Sequence, residues 1–150
     1  MVALPAMATL VEQLGKAPKR EQVVHDCVSL IDAQVKQKNF LIKGAYSTIK
    51  AIKKGFVQET VDTMLDEWLE QIQPHFEKWE ATKPSSLSDF MVARSDDIAE
   101  DLLKVTDRRA EKTSHTTAKK MYGKMRDGAK KNVVEAIPDL AKMIEKNLAS

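Results

Sequence analysis

The chain has 150 residues, of which 43% are hydrophobic and 31% charged, with 24 Lys and Arg against 22 Asp and Glu and only 5 Gly and 5 Pro. That balance excludes disordered, collagenous and low-complexity chains, and a chain of this length buries roughly 70% of its unfolded surface without staples. The net charge of +2 selects no partner, and the one cysteine, Cys27, makes neither an internal disulfide nor a cysteine-based zinc cage.

The first fifteen residues have no Lys or Arg, and Pro5, Thr9 and Glu12 interrupt their apolar residues, so they do not read as a secretory signal. No stretch approaches the roughly 18 apolar residues of a membrane-crossing helix. The expected location is the cytoplasm.

Helical periodicity of apolar residues runs through nearly the whole chain, and strand-type alternation is missing. A short helix from about Ala6 to Leu14 should stop at Gly15, where glycine tolerates a left-handed turn. A second, Lys19 to Lys38, carries Val23, Val24, Cys27, Leu30, Ile31 and Val35 on one face and ends at Asn39. The third, Leu41 to Lys54, sets Leu41, Ile42, Ala45, Ile49 and Ile52 on one arc and stops at Gly55. The fourth starts near Phe56 or Val57 and aligns Val61, Met64, Leu65, Trp68, Leu69 and Ile72.

Pro74 lacks the amide that would bond the Glu70 carbonyl, which predicts a kink or a new helix there. Ala81 to Ser86 reads as a loop, with Ser86 and Asp89 spaced as a helix cap. One helix should then reach about Lys112 on Phe90, Ile98, Leu102 and Val105. The next, capped by Ser114, runs along Ala118, Met121, Tyr122, Met125, Ala129, Val133 and Ala136 until Pro138 begins a separate terminal helix. No internal repeat is convincing. The expected fold is one all-α domain over residues 1–150, a compact bundle of six to eight amphipathic helices with breaks or kinks at Pro74 and Pro138.

Strong catalytic and metal signatures are missing. There is no glycine-rich phosphate loop and no His-Glu-x-x-His pair, and none of His25, His75 and His115 has a glutamate three residues before it. Cys27 lies on an apolar stripe as an inert core thiol, and His75 shares a face with Trp68, Ile72 and Trp79. The Asp96-Asp97 and Glu100-Asp101 runs read as a solvated acidic face. No catalytic residue, metal ligand or cofactor is therefore assigned.

Charge is strongly segregated beneath the near-neutral total. Residues 36–57 hold six basic and no acidic side chains, and residues 58–80 one basic and seven acidic. Residues 85–103 hold one basic and five acidic, and residues 104–131 ten basic and three acidic. On the third helix Tyr46, Lys53, Lys50, Lys43 and Lys54 lie beside the apolar arc. On the later helix Tyr122 borders the arc, followed by Arg126, Lys119 and Lys130.

A tyrosine at the core edge with cations one turn away suits an anion, which makes Lys43, Tyr46, Lys50, Lys53, Lys119, Tyr122, Arg126 and Lys130 the candidate ligand-binding residues. The same pattern also arises when a tyrosine keeps its ring in the core and lysine stems cover a helix flank. The expected partner is an anionic small molecule or an acidic protein surface, a second copy of the chain included. Sequence-specific DNA binding is disfavoured for want of a recognition helix and its tight turn. Membrane-surface binding is disfavoured because the flanking apolar residues are needed by the core. The chain reads as a binding or interaction module. The alternatives are an enzyme built on a carboxylate such as Glu67 or Glu70 near Trp68, or a structural homo-oligomerisation module.

The stretches Lys43 to Val57 and Ala118 to Lys131, with Ala136 to Leu140 beyond, are similar to a family of small all-helical bacterial proteins of unknown function, over most of the chain. The resemblance implies a cytoplasmic helical domain. It carries over no reaction and no functional residue.

Overall fold

The computed structural model describes residues 8–149, and among these every regular element is a helix. The order is α1 (Leu10–Leu14), α2 (Lys19–Lys36), α3 (Phe40–Lys50), α4 (Phe56–Thr82), α5 (Leu87–Ala93), α6 (Ser95–Lys112), α7 (Thr116–Arg126) and α8 (Ala129–Ala149). The expected all-α bundle is borne out, with eight helices among the described residues.

Several boundaries follow local chemistry that the periodicity alone does not reveal. α1 begins at Leu10 because Thr9 accepts the Glu12 amide while Glu12 returns a bond to the Thr9 amide. Ala6 and Met7, expected within this helix, lie outside the described residues. Gly15 does end α1, but at a φ of −99° rather than in a left-handed turn. Its smallness serves a close approach, since a Cβ there would stand 2.8 Å from the Val11 carbonyl oxygen and 3.0 Å from Asp66 Oδ1. Asn39 does not terminate α2; it caps α3 by accepting the Ile42 amide. Ser86 caps α5 as expected, through the Asp89 amide, whereas Ser114 caps nothing and His115 precedes α7 without a side-chain cap.

The two prolines do not break their helices. α4 is continuous through Pro74 and α8 through Pro138, so the expected breaks are corrected, and no separate helix begins at Pro138. A mid-helix proline costs about 3 kcal/mol. Here Ile72, His75 and Phe76 flank Pro74, and Ile137 and Ala141 flank Pro138, all buried, and each large apolar side chain so buried returns about 1.5–3 kcal/mol. The break expected at Pro138 falls instead at Gly128, whose φ of 78° suits a residue with no Cβ. A further break at Arg94 separates α5 from α6, which the sequence reads as one helix.

The residues α1–α4 and α5–α8 are two copies of one pattern, an internal repeat not recognised in the sequence. α2 and α6 each have 18 residues, and α3 and α7 each have 11. Every pair of helices in contact maps onto another such pair, or onto itself for α3 and α7, when α1, α2, α3 and α4 are exchanged with α5, α6, α7 and α8. Thr9 and Ser86 cap equivalently, and the buried pairs Leu10/Leu14 and Leu87/Met91 follow them. Val23 and Val24 of α2 match Ile98 and Ala99 of α6, and Leu65, Leu69 and Ile72 of α4 match Ile137, Ala141 and Ile144 of α8.

The halves interlock. The two buried polar side chains among the described residues, His75 and Asn147, are equivalent, and each bonds an aspartate of the other half. Asn147 Nδ2 donates to Asp26 Oδ2 at 2.9 Å, and His75 Nε2 lies 2.8 Å from Asp101 Oδ2. Arg94 Nε donates to His75 Nδ1 at 3.1 Å, which leaves the ring proton on Nε2 to be given to Asp101. Within each half, Leu10 of α1 donates its amide to Gln73 of α4 and Ser88 of α5 donates to Glu145 of α8, while across the halves α2 packs on α8 and α6 on α4. The core therefore sits between the halves.

Candidate functional site

α3 and α7 lie against each other and form a thin layer over the other helices. No residue of α7 is buried, and only Ala45 and Tyr46 of α3 are. Each helix is fixed to the body by the same device. Tyr46 donates its hydroxyl to Asp32 Oδ1 of α2 at 2.7 Å, and Tyr122 donates to Asp107 Oδ1 of α6 at 2.7 Å.

A cation one turn on completes each device. Lys50 Nζ lies 3.8 Å from Asp32 and 5.5 Å over the Tyr46 ring. Arg126 forks onto Asp107 at 2.9 and 3.2 Å. Burial, then the bond to Asp32, raises the Tyr46 hydroxyl well above the usual tyrosine range. Burial pushes Tyr122 up to about 12, with the Asp107 bond adding to it and the Thr106 hydroxyl, 2.8 Å away, opposing. Asp107 lies below the ordinary carboxylate value, chiefly because of the Arg126 bond.

Beneath this layer is a cavity of about 310 Å³, at the small end of the size range of ligand sites. Its wall is almost wholly apolar and draws on α1, α2, α3, α4, α6, α7 and α8; Ile31, Val35, Trp68, Leu102, Met125 and Ala136 represent it. Cys27 is also in this wall, half-buried, and burial, with the charge of Asp26 adding, pushes its thiol up to about 12. Polar atoms enter only at the edge, through Gln34, Lys38, Thr106, Tyr122 and Asn132. Lys38 is held by Glu135, and Gln34 by Asp139.

A second, smaller cleft of about 190 Å³ lies beside it, between α3, α4, α6 and α7, and Thr106 and Tyr122 belong to both walls. Lys53, Arg109, Lys119 and His115 line this cleft together with one carboxylate, Glu59, and with Thr60, Thr63 and Thr113. Lys53 is paired with Glu59 at 3.1 Å, whereas Arg109 and Lys119 have no ion-pair partner among the described residues. His115 meets the edge of the Phe56 ring, with centroids 5.0 Å apart.

Residues 10–148 match one family model along almost their whole length. The chain belongs to the family of unknown function DUF6918. The comparisons with curated proteins and with solved structures returned no match. The resemblance to a helical family of unknown function is thus borne out for this DUF6918 protein. No helix among the described residues is long and apolar enough to cross a membrane.

The eight candidate residues of the DUF6918 chain divide into three groups. Lys53, Lys119 and Tyr122 come together at the smaller cleft, Lys53 paired with Glu59 and Tyr122 bonded to Asp107. Tyr46, Lys50, Arg126 and Lys130 are engaged by carboxylates, the last by Glu100 at 3.2 Å. Lys43 is exposed. Arg109, Thr106 and the apolar cavity escaped the sequence reading, although alignment of the two halves would have drawn attention to Thr106 and Arg109, where the first half has Ile31 and Gln34. Glu67 and Glu70 are exposed, and Glu67 pairs with Arg108 at 3.0 Å. Among the described residues no group of three or more His, Cys, Asp or Glu side chains is arranged to hold a metal.

Proposed function

We propose that the protein works by binding rather than by catalysis, and that its ligand is an amphiphile with an anionic end. The apolar part occupies the cavity beneath α3 and α7, and the anionic end reaches past Tyr122 to Lys119, Arg109 and Lys53. The observation that carries this reading is the apolar chamber that shares Thr106 and Tyr122 with a cleft holding two cations without ion-pair partners. Apolar burial supplies affinity, and the cations select the head group.

Trp68 stands in the chamber wall and reports on it. The test is fluorescence and thermal unfolding, in a Trp79→Phe background, with a series of saturated fatty acids and the matching alcohols. A ligand at a hundredfold excess over its dissociation constant adds roughly 2.7 kcal/mol of stability. Fatty acids should shift the Trp68 emission and raise the midpoint more than the alcohols do, and an Arg109→Ala, Lys119→Ala variant should remove that preference. Ala136→Phe, which fills the chamber, should abolish both responses while the protein stays folded. No response to either series rejects the reading.

A further inference from the structure

Phe40 is 92% exposed and Leu41 55% exposed, side by side at the start of α3. The core does not use them, which corrects both the placing of Leu41 on the apolar arc and the argument that the core consumes the flanking apolar residues. The repeat sharpens the point. The same two positions of α7 are Thr116 and Thr117, both exposed, so the architecture does not call for apolar side chains there.

Around this pair the layer is basic. α3 and α7 together carry six basic and no acidic side chains, and Lys53 and Lys54 follow in the turn after α3. Lys43, Lys54, Lys120 and Lys124 are exposed and have no ion-pair partner among the described residues. On the α3 wheel Phe40 stands opposite the arc of Ile42, Ala45 and Ile49 and one step from Lys43. On α7, Lys120 and Lys124 likewise stand away from the arc of Ala118, Met121 and Met125.

We infer that the outer face of α3 and α7 docks on an anionic phospholipid bilayer, with Phe40 and Leu41 entering the head-group boundary and the lysines meeting lipid phosphates. An amphipathic surface binds an interface through a few apolar side chains together with electrostatic attraction to anionic lipid, and neither signal alone gives firm attachment. Phe40 and Leu41 provide the first signal, and the unpaired lysines the second. This inference stands on the exposed face and does not require the chamber to hold a ligand.

The test is co-sedimentation of the protein with vesicles of phosphatidylcholine alone and of phosphatidylcholine with phosphatidylglycerol, at low and high salt. Binding should need the anionic lipid and weaken with salt. Phe40→Ser with Leu41→Ser should weaken it about tenfold or more, as should Lys120→Glu with Lys124→Glu, with unchanged unfolding midpoints because all four positions are exposed. The chamber-filled Ala136→Phe protein should still bind vesicles, which separates failure here from failure of the ligand reading. Three outcomes overturn the inference: no binding to anionic vesicles, binding indifferent to the Phe40 and Leu41 changes, or a dimer that those changes abolish in a protein that ignores vesicles. Binding to a nucleic-acid duplex in place of vesicles overturns it too, and assigns the basic face to phosphodiester backbones.

Discussion

The smaller cleft is built from one set of positions in the repeat, and the opposite set has become part of the larger chamber. Ile49, Met64, Thr106, Arg109 and Ala118 line the cleft; their counterparts Met125, Ala136, Ile31, Gln34 and Ile42 all line the chamber. A threonine has become isoleucine, an arginine glutamine and a methionine alanine, and the bulky Phe56 corresponds to Gly128. The same backbone thus holds a polar, cationic cleft on one side and a roomier apolar chamber on the other. The contrast shows that the architecture tolerates either chemistry at this place, so the fold itself does not dictate the difference.

If the halves are equivalent in the core and divergent only around the cavities, matched core changes should cost alike. Ile72→Ala and Ile144→Ala, at equivalent positions 3% and 1% exposed, should each lower stability by about 2–5 kcal/mol in urea unfolding. A variant unfolding near the parent midpoint in one case and not the other would break the equivalence.

The buried polar pairs come next in size. Asn147→Leu and His75→Leu each remove a bond to an aspartate of the other half, although Asp26 keeps Lys146 and Gln22 and Asp101 keeps Lys104, at an expected cost of about 0.5–1.5 kcal/mol. Asp26 adds a pH signature: burial works to raise its carboxyl, but bonds from Asn147, Lys146 and Gln22 outweigh that and leave it below the ordinary value. A carboxyl lowered on folding contributes stability above its unfolded pKa and loses it as the pH falls through the folded one. Acid unfolding of Asp26→Asn, followed by circular dichroism, should therefore depend less on pH below about 4 than the parent does.

Effects no larger lie in the α3 and α7 layer. Tyr46→Phe and Tyr122→Phe should each cost about 0.5–1.5 kcal/mol. Because folding raises both hydroxyls, their contribution is complete below a pH of about 10 and declines as the pH rises above it. Tyrosinate absorbance should accordingly develop later in the folded protein than in urea, and the two traces should coincide if the layer is not held as described.

Most of the fold was legible from apolar spacing, because the stripes on α2, α4, α6 and α8 are the faces that pack into the core, whereas those of α3 and α7 are only partly covered. The boundaries were less legible where a single residue decides. A proline's preference is local, and flanking buried side chains override it at 74 and 138, whereas Gly128 needs no override to turn the chain. The repeat hides in the sequence because it is conserved in burial and capping rather than in identity: Thr9 against Ser86, or His75 against Asn147, share a role and not a side chain. The basic tyrosine pattern was visible, but its partners Asp32 and Asp107 are far off in sequence, so no periodicity could show that the hydroxyls are engaged. The chamber is a space between helices, which no one helix face can disclose.

The interlocked arrangement has a consequence for how the molecule holds together on dilution. α2 packs on α8 and α6 on α4, so neither half encloses its own apolar surface. Residues 83–86, between α4 and α5, are the covalent join, exposed throughout. A join so short keeps each half at a high effective concentration before the other. What would be a concentration-dependent association between two chains is here a first-order event within one, and the assembled state persists at any dilution the cell imposes.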